Sequence, residues 1–151
     1  MSVSEADRQI VLTRLIAASP AKVWQCWTDP DILPRWFGPE GYSCVTKTID
    51  LRQGGQWSFD MIGPDGKVWI NRHRYTLYDP PKRLEFLMDD GDDADEPMRV
   101  VVVLEPEAGG TRITQTMTFP TAEMRAGALA FGADKLGQTT LAKLEAAAQK
   151  L

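Results

Sequence analysis

The sequence predicts an α+β fold in which a curved antiparallel sheet wraps around a long C-terminal α-helix. From about residue 42 to residue 119, turn signals separate segments in which apolar and polar residues alternate. In QWSFDMI, for example, Trp57, Phe59 and Met61 share one face. Helical patterns occur only before and after these strands. Antiparallel strands with segregated helices are typical of the α+β class.

The elements before the sheet follow one another closely. Residues 8–17, RQIVLTRLIA, predict a first strand. Ser19 is a favourable N-cap residue and Pro20 fits the first helical position, so a short helix is expected there. Asp29 and Pro30 repeat this signal for a second short helix, which ends in RWFGP. Six strands then complete the sheet.

The last segment is predicted to be helical from about Thr121. Three glycines interrupt its first part, at Gly127, Gly132 and Gly137. The residues that recur at helical spacing beyond them are Gly137, Leu141, Leu144, Ala148 and Leu151. Intervals of four and three residues place them on one face, which packs against another element.

Length and composition exclude several classes of protein. A chain of 151 residues fits one domain, and we expect a disordered tail at residues 1–7 and a single folded domain at residues 8–151. A net charge of -4 and a pI of about 5.0 argue against a nucleic-acid partner. The polar N-terminus lacks a signal-peptide core, and no apolar run could span a membrane. We expect a cytoplasmic protein without a membrane partner, with Cys26 and Cys44 reduced.

Six of the carboxylates lie in one short segment, DDGDDADE at residues 89–96. Its glycine and its final glutamate do not fit the calcium-loop pattern. Like charges at this density repel one another and bury little apolar surface. We therefore expect a mobile, solvated hairpin tip.

Five motifs, in this order, resemble the activator-of-heat-shock-protein-90-ATPase homologue family of the START-like (SRPBCC) superfamily. They are A-S-P-A-K-V-W-Q-C-W-T-D-P, R-W-F-G-P, D-L-R-Q-G-G-Q-W-S-F, D-P-P-K-R-L and G-T-R-I-T. The resemblance runs from about Arg8 to the C-terminus and implies a helix-grip fold with a cavity between the last helix and the sheet. Superfamily members bind hydrophobic small molecules, and some are cyclases or hydrolases. This chain has Gln138 and His73 where the family often has Trp and Gly, so no particular ligand is transferred.

The segment VWINRHRY, residues 68–75, has polar residues on both faces, and the turns on either side of it predict which face is buried. The turn GPDGK predicts the pairs Met61–Trp69, Phe59–Asn71 and Trp57–His73. The turn at Pro80-Pro81 predicts the pairs Leu77–Leu84, Tyr75–Phe86 and His73–Met88. Opposed residues share a face, so both turns direct Asn71 and His73 inward and Arg72 and Arg74 outward to water.

The candidate ligand-binding residues lie on this inner face, together with two aromatic residues that could close the mouth of a pocket. They are Trp36, Phe37, Trp57, Phe59, Trp69, Asn71, His73, Tyr75, Phe86, Met88, Gln115 and Met117. A buried polar group without a partner costs about 1–3 kcal/mol, so Asn71, His73 and Gln115 must meet one another, water or a ligand. Apolar walls with a few polar groups are usual in small-molecule sites. A purely structural role for the same groups is an equally good interpretation.

Three functions are compatible with these residues. Binding of a hydrophobic small-molecule ligand ranks first. An enzyme ranks second: His73, expected to be neutral because burial depresses its pKa, would be the general base, with Tyr75 or Asn71 orienting the substrate. The sequence does not require a second titratable group near His73. No catalytic residue is therefore assigned unless the protein is an enzyme. A co-chaperone-like interaction domain ranks third, because no outward apolar run is visible.

The sequence suggests neither a metal site nor a cofactor. Cys26, Cys44 and His73 lack a recognisable metal-ligand spacing, and phosphate-loop and nucleophile-elbow motifs are missing. A chaperone partner is not favoured. The sequence does not decide between a monomer and a homodimer.

Overall fold

The computed structural model describes residues 4–151. The first element, Glu5–Arg8, is one turn of 3-10 helix. The predicted disordered tail, residues 1–7, therefore lies partly outside the described residues.

One antiparallel sheet of seven strands forms most of the molecule. The strands are β1 (Gln9–Ile16), β2 (Ser43–Ile49), β3 (Gln56–Ile62), β4 (Val68–Asp79), β5 (Arg83–Asp89), β6 (Met98–Glu107) and β7 (Gly110–Thr118). Their spatial order is β1-β7-β6-β5-β4-β3-β2, so the first strand pairs with the last and only β1 and β2 are edges within the described chain. The predicted α+β class and order of elements are confirmed.

Four α-helices within residues 4–151 complete the fold. They are α1 (Pro20–Thr28), α2 (Leu33–Trp36), α3 (Ala122–Phe131) and α4 (Ala133–Gln149). The predicted N-cap is present, since the Ser19 hydroxyl accepts a hydrogen bond from the Lys22 backbone N–H. Gly132 has φ +94°, a left-handed conformation that glycine adopts without strain, and it ends α3 and begins α4. The predicted C-terminal helix is thus two helices joined at one glycine.

Helix α4 packs its predicted face on the inner side of the sheet. Leu141, Leu144 and Ala148 are fully buried, and burying a leucine side chain stabilises the fold by about 1.5–3 kcal/mol. The Arg14 guanidinium on β1 donates to the Glu145 carboxylate at 2.8 Å, which fixes the helix to the edge of the sheet. The pKa of Glu145 is lowered, first by a hydrogen bond from the Ala17 backbone N–H and then by Arg14.

The register predicted from the turn GPDGK is confirmed. Trp57 pairs with His73, Phe59 with Asn71 and Met61 with Trp69. The pairs His73–Met88 and Tyr75–Phe86 on the other side of β4 are also confirmed.

The prediction that Leu77 pairs with Leu84 is wrong. The register shifts between Tyr75 and Leu77, so that Tyr78 pairs with Leu84. This irregularity gives β4 one additional residue and turns Tyr78 inward. Its ring packs edge-on against Trp24 at 5.7 Å and Tyr75 at 5.6 Å.

The outward arginines of β4 do not point freely into water, which corrects a second expectation. Arg72 forms two hydrogen bonds with the Asp89 carboxylate, each 2.8 Å long, and Arg74 adds one at 2.9 Å. The Asp89 side chain is only 3% exposed, and its pKa is lowered, mainly by Arg72. Asp93 makes a further contact to Arg72. The first residue of the acidic segment is therefore part of β5 and of an ion-pair cluster, and the exposed connection begins at Asp90.

Some apolar side chains do face outward. Val45, Val68 and Ile70 are more than half exposed, and Val45 and Ile70 both lie opposite Asp60 on neighbouring strands. The sequence pattern missed this group because Val45 comes from β2, whereas Val68 and Ile70 come from β4. No helix within residues 4–151 has the combination of length and hydrophobicity needed to cross a bilayer.

Candidate functional site

A cavity of about 410 Å³ lies between the two C-terminal helices and the inner face of the sheet. The helices contribute mainly small or apolar residues to its wall: Ala128, Phe131, Ala133, Leu136, Gly137 and Thr140. The loop after α2 contributes Phe37, Gly38, Pro39 and Tyr42. The alanines on the helix side leave space that larger side chains would fill, so the cavity depends on the small residues of α3 and α4.

Four methionines line the sheet side of the cavity: Met61, Met88, Met98 and Met117. Each comes from a different strand, in order β3, β5, β6 and β7. Methionine is unbranched and polarizable, and it adapts its shape to different apolar partners. This wall can therefore fit ligands of more than one shape.

Two amide side chains interrupt the apolar wall. Asn71 on β4 is 9% exposed, and one of its Nδ2 hydrogens is donated to the Trp69 carbonyl oxygen at 3.0 Å. Gln115 on β7 lies between the inward residues Ile113 and Met117 and makes no side-chain hydrogen bond within residues 4–151. Both amides retain hydrogen-bonding groups that a bound molecule could use.

Two exposed aromatic rings mark the mouth of the cavity. Phe131, at the end of α3, is 62% exposed and contacts Trp69 edge-on with 6.3 Å between ring centroids. The Lys67 ammonium group lies 3.9 Å from the Trp69 ring centroid, a cation–π geometry. Helix α3 has no fully buried residue, so the wall that carries Phe131 is less firmly packed than α4.

His73 is enclosed by aromatic rings behind the cavity wall. Its ring stacks on Phe86 at 4.5 Å and meets Phe37, Phe59 and Trp57 edge-on at 5.0, 5.1 and 5.3 Å. Its Nε2 atom has no hydrogen-bond partner within residues 4–151. Burial lowers the pKa of His73 to about 3, against a small opposing effect of Asp89. The imidazole is neutral at pH 7, as the sequence predicted.

Seven of the twelve candidate residues line the cavity: Phe37, Trp69, Asn71, Phe86, Met88, Gln115 and Met117. The other five candidates are buried and are not among the lining residues: Trp36, Trp57, Phe59, His73 and Tyr75. Trp57, Phe59, His73 and Tyr75 share the inner face of the sheet, and the rings of Phe37 and Phe86, which do line the cavity, pack against the His73 ring. Trp36 is buried elsewhere, donating its Nε1–H to the Cys26 carbonyl oxygen at 3.0 Å.

The position of His73 outside the cavity lining bears on the enzyme hypothesis. A general base must come within hydrogen-bonding distance of the proton it removes. His73 does not line the cavity, and with a pKa of about 3 its imidazole binds protons weakly at pH 7. The geometry gives no support to His73 acting on a molecule held in the cavity.

Sequence reasoning missed several lining residues. Met61 could have been found, because the alternation in QWSFDMI already placed it on the inner face. Met98 and Phe119 stand at strand ends, and Leu12 belongs to the first strand, whose neighbour β7 is distant in sequence. No local pattern indicates that these residues meet.

The two cysteines are free thiols with no metal-binding surroundings. Burial raises the pKa of Cys26 to about 11 and that of Cys44 to about 12. In residues 4–151, no cluster of three or more histidine, cysteine, aspartate or glutamate side chains could hold a metal ion.

A curved antiparallel sheet that encloses C-terminal helices, with a cavity between them, defines a protein of the helix-grip type. The chain belongs to the family described as Activator of Hsp90 ATPase homolog 1-like protein, whose sequence profile matches residues 17–149. The predicted family is therefore confirmed.

Solved structures support the same fold. Protein NE0264 from Nitrosomonas europaea is 27% identical with a TM-score of 0.84, and the alignment covers 97% of each chain. Protein Ms6760 from Mycobacterium smegmatis is also 27% identical, with a TM-score of 0.83 over 96% of this chain and 93% of that one. An AHSA1-like protein from Aeromonas hydrophila is 26% identical, with a TM-score of 0.68 over 94% and 92%. Among curated proteins, none matches the chain.

Proposed function

We propose that this protein binds a hydrophobic small molecule in the cavity between its C-terminal helices and its sheet. The observation that carries the proposal is the cavity itself, about 410 Å³ with walls that are almost entirely apolar. This volume lies within the range of about 300–1,000 Å³ that is usual for small-molecule sites.

The chemistry of the wall supports the same function. Each methylene group that a ligand transfers from water into the cavity contributes about 0.8 kcal/mol to binding. The methionines can adapt to the ligand, and the amides of Asn71 and Gln115 can orient its polar groups. The exposed pair Trp69 and Phe131 gives such a molecule a route between solvent and the cavity.

The test uses N-phenyl-1-naphthylamine, a neutral probe whose fluorescence rises in apolar surroundings. We expect the wild-type protein to bind it saturably at one site. In the variant Ala128→Phe, a benzyl group enters the cavity from α3, and affinity should fall by about tenfold or more, since the lost contact area is that of several methylenes.

The matched control is Ala130→Phe, the same substitution on the exposed side of α3. It changes helix propensity equally but does not enter the cavity, so affinity should stay at the wild-type value. Equal losses in both variants, or no saturable binding by the wild type, would contradict the proposal.

A further inference from the structure

Charged side chains are missing from the wall of the cavity. Within residues 4–151, the lining contains no aspartate, glutamate, lysine, arginine or histidine. Its polar side chains are the amides of Asn71 and Gln115, the hydroxyls of Thr140 and Tyr42, and the indole N–H of Trp69. This separates the cavity from sites that recognise a carboxylate, a phosphate or an amine, because such sites offer an opposite charge.

The lysine and arginine side chains that adjoin the lining do not themselves line the cavity. Lys143 donates to the carbonyl oxygens of Gly38 and Pro39 at 3.0 and 3.3 Å, so its ammonium group fixes the loop that forms one cavity wall. Arg14 is paired with Glu145. Lys67 lies over the Trp69 ring at the exposed mouth.

The N-terminus of α4 is a further source of positive potential, since this helix begins at Ala133 on the cavity wall. Asp134 stands in the first turn of the same helix. A carboxylate at this position already satisfies the preference of a helix N-terminus for negative charge. The cavity therefore offers little stabilisation to an anion.

We infer that the ligand is an uncharged hydrophobic molecule with hydroxyl, carbonyl or amide groups, which Asn71 and Gln115 recognise. An ionised carboxylate, sulfonate or ammonium group loses its hydration when it is buried in this cavity, whose wall offers no group of opposite charge, so its entry is strongly unfavourable. This inference rests on the proposed function and narrows it to one class of ligand.

The two amides occupy different parts of the wall. Asn71 is on β4 and Gln115 on β7, with β5 and β6 between them. Three strand spacings amount to about 14 Å along the sheet, and curvature shortens the direct path. A short molecule can reach one amide, whereas an elongated molecule with polar groups at both ends can reach both.

The experiment compares pairs of molecules that share an apolar skeleton and differ in one group, which is charged in only one member of each pair. N-Phenyl-1-naphthylamine and 8-anilinonaphthalene-1-sulfonate share one ring skeleton, and only the second carries a sulfonate. We expect the neutral probe to bind at least about tenfold more tightly at pH 8. Likewise, 1-decanol should compete with the neutral probe more strongly than decanoate does. Lowering the pH to 5.5 should strengthen competition by decanoate, because the fraction in its neutral form increases.

A variant tests the same point from the side of the protein. Gln115→Glu places a carboxylate on the wall and should weaken binding of the neutral probe by about tenfold or more, because probe binding would bury that charge. Gln56→Glu is the matched control, since Gln56 is an exposed strand residue outside the cavity. Melting curves of both variants establish that they are folded.

The outcomes are distinct. Equal affinities for the two fluorescent probes, or decanoate competing as well as 1-decanol at pH 8, would overturn the inference and leave hydrophobic ligand binding in place. Saturable binding by none of the four compounds would overturn the proposed function and this inference with it. Tighter binding of the neutral member in the aromatic pair and in the alkyl pair supports the proposed function and this inference.

Discussion

At the scale of single residues, His73 shows how burial alone determines chemical state. It is the only histidine in the chain, it is 1% exposed, and aromatic rings surround it. Its pKa is lowered to about 3 chiefly because the charged imidazolium would lose its hydration there. The residue is a neutral member of the core, one ring layer behind the cavity.

This placement predicts a specific pH dependence of stability. The unfolded chain binds a proton at His73 with the ordinary pKa of about 6.5, whereas the folded protein does not until about pH 3. Between these values the unfolded state holds more protons, so stability falls as the pH falls. From pH 7.5 to pH 5 the loss from this group is about 2 kcal/mol.

Urea unfolding of the wild type and of His73→Leu at both pH values measures this effect. Leucine has a similar size and does not titrate, so the variant should lose about 2 kcal/mol less than the wild type. Because His73 does not line the cavity, the variant should also keep the wild-type affinity for N-phenyl-1-naphthylamine. Parallel pH profiles would mean that His73 protonates in the folded state.

At the scale of elements, the close approach of α4 to β1 depends on one glycine. A Cβ atom at Gly137 would overlap the Leu12 Cδ1 atom, and Leu12 is itself buried. At Gly127, on the exposed side of α3, a Cβ atom would meet nothing within 4 Å. The two helical glycines thus differ in their surroundings but not in their intrinsic helix propensity.

The paired variants Gly137→Ala and Gly127→Ala isolate the cost of that contact. Gly127→Ala should stabilise the protein by about 0.5–1 kcal/mol through helix propensity alone. Gly137→Ala gains the same stabilisation from helix propensity but forces Leu12 or α4 to shift. Its free energy of unfolding should therefore lie about 1–3 kcal/mol below that of Gly127→Ala. Equal melting temperatures would show that α4 moves away from β1 without cost.

The elements also show what sequence patterns reveal. The register of β3 with β4 follows from GPDGK, because a three-residue loop fixes the pairing of the strands that it joins. The shift between Tyr75 and Leu77 was not predicted, since Thr76, Leu77 and Tyr78 all suit a strand. Tyr78 turns inward because Trp24 on α1 and Tyr75 pack against its ring, and α1 is distant in sequence.

At the scale of the whole molecule, the fold was predictable and the depth of each residue was not. Alternation separates an inner from an outer face, but it cannot distinguish a core residue from a residue at a cavity wall on that face. His73 and Met88 are paired neighbours on one face, yet only Met88 reaches the cavity. The difference depends on where α3, α4 and the Phe37 loop cover the sheet.

The methionines provide a direct test of ligand binding within the cavity. Met61, Met88, Met98 and Met117 line it, whereas Met124 on α3 is 52% exposed and does not. Protein carrying carbon-13 methyl-labelled methionine, assigned with single Met→Leu variants, would be titrated with N-phenyl-1-naphthylamine. We predict that the methyl signals of the four lining residues shift together and saturably while that of Met124 stays in place. A shift of Met124 without the others, or no saturable shift at all, would contradict the account.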